Sequence, residues 1–229
     1  MKLQSKDILK KLKSFSNPKN VQGMARFGIN SKNTYGVSIP TLRKIGKEIG
    51  KDHQMAQELW VSGIHEARIL ASMIDEVKKV TEKQMDKWVA DFDSWDVCDQ
   101  CCLNLLDKVD FVDKKIKSYA RAKEEFIKRT AFTLVACLAF HNKNLKDKDF
   151  EKYFTIIENA VIDERNYVRK AVNWALRQIG KRNKTLNKKA ILVAEKILKT
   201  YKDNKTAKWI ANDALRELKS SPVQKRLDR

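Results

Sequence analysis

Proline and glycine are scarce, with three prolines and seven glycines in 229 residues. Between Pro40 and Pro222 no proline occurs, and only Gly46, Gly50, Gly63 and Gly180 break the run. These residues punctuate turns and strands, so their scarcity argues against a β-rich fold and for helices joined by polar links. No apolar run is long enough to span a bilayer, so a membrane protein is not expected. The start, MKLQSKDILKKLKSF, has no unbroken apolar segment and no small-residue cleavage site. It reads as a first helix, not a signal peptide. Acid is short as well: 29 Asp and Glu stand against 48 Lys and Arg, a net charge of +19. That imbalance favours a polyanionic partner, and nucleic acid is the commonest. The lysines are spread along the chain, which disfavours a membrane-surface helix.

Four cysteines make no disulfide framework. Cys98, Cys101 and Cys102 share a helical face with Leu105 and Val109, while His53, His65 and His141 lie far from them in sequence. They read as small buried hydrophobes, not metal ligands, and a reduced cytosolic location fits. No metal or organic cofactor is expected.

What the chain does have is apolar residues at three- and four-residue intervals. Helices are predicted over 5–15, 21–27, 39–49, 55–60, 64–77, 82–92, 95–109, 112–121, 125–140, 148–161, 167–181, 186–201 and 207–218. NWALRQI from Asn173 echoes NDALREL from Asn212, matching Ala175 with Ala214, Leu176 with Leu215 and Arg177 with Arg216. An offset of about forty residues is the HEAT-type period. The expected fold is therefore all-α: a curved solenoid of antiparallel HEAT-like repeats forming one domain over residues 1–221. A loose basic tail is expected over 222–229.

Four residues stand off the apolar stripes of their helices. Trp95 and Asp99 lie in SWDVCD, Arg129 in EFIKRTAF, and Trp174 in KAVNWALRQIGK. Ser94 suits the N-cap and Asp96 the first helical turn, so both have structural work. Asp99 falls beyond capping reach and projects beside Trp95, four residues away. It is either a functional carboxylate or a solvent-facing acid paired with a lysine. Trp95 is either a site wall or a helix-start aromatic tucked into the core. Arg129 sits opposite a stripe of Ile127, Ala131, Leu134, Val135 and Leu138. On so apolar a helix it needs a carboxylate such as Asp99 or a ligand phosphate. Trp174 groups with Tyr167, Lys170, Arg177 and Lys181, opposite Val168, Val172, Ala175, Leu176 and Ile179. An aromatic among cations suits nucleic acid, with the ring on sugar or base and the cations on phosphates. The same ring could instead pack beneath a neighbouring helix.

In order and local context these residues resemble the AlkD-type alkylpurine DNA glycosylases, a family of HEAT-like repeat proteins. The resemblance runs from GMARF at Gly23 through YGVSIPTLRKIGKEI at Tyr35 to the Trp174 helix. It includes Trp95, Asp96 and Asp99 as a Trp-Asp-x-x-Asp element. Arg129 with Ala131, and Trp174 with Lys170, Ala171, Leu176 and Arg177, complete it. It implies hydrolysis of the N-glycosidic bond of cationic purines, such as N3-methyladenine and N7-methylguanine, in duplex DNA. Asp99, Trp95, Trp174 and Arg129 would be catalytic, and Lys170, Arg177, Lys181 and Tyr167 would contact DNA. Such a protein would be a monofunctional glycosylase of base excision repair, a cytoplasmic, nucleoid-associated monomer. The features without the resemblance also fit a non-catalytic nucleic-acid binder or a protein-interaction scaffold.

Overall fold

A computed structural model describes residues 4–228. Among these residues the only regular structure is helical, and the chain divides into two compact units, Met1–Phe111 and Val112–Arg229. Nothing in the apolar periodicity marks that division.

The first unit holds α1 (Ser5–Ser14), α2 (Pro18–Arg26), α3 (Ile39–Ile49), α4 (His53–Val61), α5 (His65–Ile74), α6 (Glu82–Ala90) and α7 (Trp95–Asn104). Starts follow N-cap chemistry. Asn17, Asp52 and Thr81 each accept a backbone N–H three residues on. Helix α5 is central and packs against α3, α4 and α7 through buried Ala67, Ile69, Leu70 and Ile74. Beside it the buried rings of Trp60 and Trp88 stack 4.0 Å apart at 2°. Two helices end earlier than their periodicity suggests. Helix α5 stops at Ile74 because Asp75 is extended and binds Gln84 at 2.6 Å and His53 at 2.7 Å. Helix α7 stops at Asn104 because Leu105 leaves helical geometry. The Lys108 ammonium then satisfies the carbonyls of Leu103 and Asn104 at 2.8 and 2.6 Å.

The second unit holds α8 (Val112–Tyr119), α9 (Glu125–His141), α10 (Asp147–Ala160), α11 (Asn166–Gly180), α12 (Lys184–Thr200), α13 (Lys205–Leu218) and α14 (Ser221–Leu227). Helices α9, α11 and α13 begin about forty residues apart, as the echo between Asn173 and Asn212 predicts. Helix α11 is the hub, packed on α9, α10, α12 and α13. Every residue of α9 from Arg129 to Ala139 is buried, which explains why that helix is apolar on most sides. The tail is a correction. Where a loose segment was expected from Pro222, helix α14 forms instead, with Pro222 in its first turn and Val223 buried.

Gly180 closes α11 where three helices meet. A Cβ there would lie 2.6 Å from Leu218 Cδ2 and 2.9 Å from Ala190 Cβ, so the packing of α12 and α13 requires its absence. Gly180→Val is expected to lower stability by about 1–3 kcal/mol through overpacking. A urea denaturation midpoint equal to wild type would contradict this contact.

Candidate functional site

Trp95 opens α7 in the first unit, and its local setting is fixed by hydrogen bonds to three distant segments. The Trp95 indole N–H donates to the Phe27 carbonyl at 3.0 Å, leaving the ring half-buried. Ser94 stands at the N-cap but makes no side-chain cap bond. Its buried hydroxyl accepts the Asn30 N–H at 3.2 Å, tying the 28–34 loop to the helix start. Asp96 takes over the helix terminus, accepting the Val97 N–H at 3.0 Å through one oxygen. Its other oxygen pairs with His65 Nε2 at 2.8 Å. Asp99 lies one turn on and is half-buried, on the same helix as Trp95.

His65 is 5% exposed. Burial works against its charge, but the hydrogen bond and charge of Asp96, with Glu66 and Asp93, outweigh it and raise the imidazole pKa above 6.5. Next to it, Glu66 is 1% exposed. Its carboxylate accepts the N–H groups of Tyr35 at 2.9 Å, Gly36 at 2.6 Å and Val37 at 3.2 Å. Sequence reading passed over both residues. The available signal was Glu66 itself, a carboxylate one turn before Ile69 and Leu70 on a stripe that is otherwise apolar.

In the second unit Arg129 is 5% exposed, on a helix buried without a break from Arg129 to Ala139. The partner it requires is in part the Tyr167 carbonyl, which accepts from Nη1 at 2.8 Å. Tyr167 stacks on Phe126 at 5.3 Å, and its N–H donates to Glu125 at 3.0 Å, so α9 and α11 are locked together at this point. Trp174 is half-buried, outside the α11 stripe of Val168, Val172, Ala175, Leu176 and Ile179, all fully buried. With the Gln178 amide oxygen turned toward its donors, Trp174 Nε1 donates to it at 2.9 Å and Lys181 Nζ at 3.2 Å.

The cations grouped with Trp174 divide. Lys170 is exposed. Arg177 and Lys181 are instead held by acids of α13. Both reach Glu217, Lys181 at 2.5 Å, and Arg177 also lies 3.7 Å from Asp213. Asp213 is in turn bonded to Arg216, so the arginines paired by the internal echo share one carboxylate. Burial raises the Glu217 pKa, yet Lys181 and Arg177 outweigh it and lower the net value. Arg177 and Lys181, the cations expected to contact DNA, thus share an acid four residues beyond Asp213.

Cys98, Cys101, Cys102 and Cys137 are fully buried, and burial pushes the Cys101 thiol well above its ordinary pKa. Among the described residues no cluster of three His, Cys, Asp or Glu could hold a metal ion. No helix there is long and apolar enough to cross a membrane.

A family model of DNA alkylation repair enzymes matches residues 8–218. The chain belongs to that family. Among solved structures it is similar to a protein from a family described as related to the HEAT-like repeat DNA glycosylases, with affinity for branched DNA structures. The TM-score is 0.74 at 16% identity, over 84% of this chain and 83% of that one. At that identity the likeness speaks for the fold, an all-α array of HEAT-like repeats. A designed armadillo repeat protein also matches, at 16% identity over 77% of this chain and 91% of its own. Its TM-score of 0.35 is too low to carry weight. No curated protein matches the sequence.

The His65–Asp96 pair gives a pH prediction. Because the folded pKa lies above the unfolded 6.5, its contribution to stability is fully present below about 6.5. That contribution is lost as pH rises through the folded value. Asp96→Asn should lower the His65 midpoint in an NMR titration of its ring protons. A midpoint unmoved by the substitution would assign the shift to Glu66 and Asp93.

Proposed function

We propose that this DNA alkylation repair family member hydrolyses the N-glycosidic bond of cationic alkylated purines in duplex DNA, with Asp99 as its one essential carboxylate. The observation that carries the reading is the placement on α7, four residues apart, of Asp99 and a Trp95 whose indole is pinned by the Phe27 carbonyl. It occurs in a chain of net charge +19 that matches the family over nearly its whole length.

An N-alkylated purine already bears positive charge, so the C1′–N bond breaks with its electron pair leaving on a neutral base. No general acid is needed, in contrast to glycosidases that protonate the leaving oxygen. The sugar becomes oxocarbenium-like. Asp99 stabilises that cation and orients the water that adds to C1′, taking up the proton the water loses. A charge pair at about 4 Å contributes about 4 kcal/mol at an effective dielectric near 20, about three decades of rate. Trp95 presents its ring face to the electron-poor sugar. In the second unit Trp174 packs its ring on a sugar or base of the bound DNA. Arg129 holds a DNA phosphate, and its bond to the Tyr167 carbonyl fixes the guanidinium for that contact. Exposed Lys170 adds a phosphate contact, and Tyr167 supports the same face. The protein acts as a monomer on DNA in the cytoplasm and nucleoid, without metal or organic cofactor.

One observation favours a second reading. The structural relative at a TM-score of 0.74 comes from a family described by affinity for branched DNA, which suggests a binder without turnover. Asp99 separates the two, because a carboxylate beside the backbone would only repel phosphate in a pure binder. Asp99→Asn should bind methylated duplex as tightly as wild type yet release purine about a thousandfold more slowly. Equal release by both proteins would reject the role of Asp99.

Glu217 generates a second prediction. Its removal in Glu217→Gln frees Lys181 and most of the hold on Arg177, so DNA affinity should rise. The slope of log affinity against log salt should steepen by about one phosphate contact. Unchanged affinity and slope would place that α11 face away from DNA.

A further inference from the structure

Helix α2 is anchored at both ends and hollow beneath. At its start the Asn17 N–H donates to the Tyr35 carbonyl at 2.7 Å, and Asn20 Nδ2 donates to the Gly36 carbonyl at 2.9 Å. Just past its end, Trp95 Nε1 holds the Phe27 carbonyl. None of its nine residues is buried. Between α2 and the body of the first unit lies a cleft of about 470 Å³. Met24, Val37, Ile39 and Ile69 make it apolar, Trp95 and Phe27 supply aromatic walls, and Lys19 stands at it with a charge.

Two independent features say the cleft is kept open for something. The first is Gly23, in the interior of α2, where glycine destabilises a helix relative to alanine. The usual justification is close packing, but a Cβ at Gly23 would meet nothing within 4 Å. Gly23 lines the cleft, so the effect of having no side chain there is empty space. The second is His65, which also lines the cleft. Its Nε2 is bonded to Asp96, and its other ring nitrogen, Nδ1, has no hydrogen-bond partner among the described residues. That nitrogen is left for a polar atom of a molecule in the cleft.

We propose that this cleft receives an unstacked nucleobase of bound DNA, packed against Trp95 and Phe27 with a polar edge atom toward His65 Nδ1. The proposal rests on the DNA-binding part of the function above and adds a pocket to it. Aromatic walls take any base by its π-face. Every base carries a ring nitrogen or carbonyl acceptor in its plane. Lys19 suits the phosphate of the same nucleotide.

The test compares binding of a perfect duplex with the same duplex bearing a single-nucleotide bulge of 2-aminopurine, by anisotropy at fixed salt. Wild type should prefer the bulged duplex about tenfold, the scale of one base–aromatic stack. Gly23→Phe fills the cleft and should abolish that preference while leaving perfect-duplex affinity unchanged. Should circular dichroism show Gly23→Phe unfolded, Phe27→Ala decides alone, since that ring is 75% exposed and its loss spares the fold. Preference retained in the folded variants, or absent in wild type, overturns the pocket. Failure of wild type to bind either duplex overturns the DNA-binding reading and the pocket with it.

Discussion

The buried carboxylate of Glu66 organises the first unit. Three consecutive backbone N–H groups, of Tyr35, Gly36 and Val37, would be unsatisfied in the interior without it, and each such group is costly. With it, the strand-like segment before α3 is fixed, and that segment in turn receives Asn17 and Asn20 of α2. The adjacent His65 reaches the other way, to Asp96 at the start of α7. Two neighbouring residues on α5 therefore hold both the entrance of α2 and the helix that carries Trp95 and Asp99. The second unit has a counterpart in Arg129, a buried charge that binds the Tyr167 carbonyl and joins α9 to the α11 hub.

Net charge and available charge differ in this protein. Of 48 basic side chains many are paired, and the pairing is patterned. Along α11 and α13 a series of contacts repeats at about one-turn intervals. Arg169 lies over Trp209, Asn173 donates to the Ile210 carbonyl, Arg177 meets Asp213 and Lys181 meets Glu217. The series is what two copies of one repeat look like when a polar seam joins them. It converts cations that composition alone would assign to DNA into joints between repeats. Surface pairs of this kind contribute little stability singly, so their greater effect is on where free positive charge remains.

The helical fold and most of its boundaries were legible in the sequence. Apolar periodicity and the lack of proline placed thirteen helices, with α3 at its exact limits, and the echo at Asn173 and Asn212 marked the repeat length. The deviations have local causes. Asp75 and Leu105 end α5 and α7 early through side-chain bonds and backbone geometry that periodicity does not register. Helix α14 forms where a loose tail was expected because Pro222 serves in its first turn. At the candidate site, Arg129 on an apolar helix pointed to a carboxylate or a phosphate, and the structure places the Tyr167 carbonyl beside it. Glu66, His65 and Glu217 escaped notice because their roles are defined by partners about thirty to forty residues away, one repeat along the chain. Intra-helix spacing is blind to such contacts.

The account centres on one carboxylate acting on a cationic nucleoside within a basic helical array. Incubating the full-length protein with N-methylated duplex DNA and separating free purines by chromatography tests it most directly. Release of N3-methyladenine or N7-methylguanine, with the DNA strands left unbroken, is the predicted result. Tight binding of the same DNA with no purine released above the spontaneous rate would contradict it.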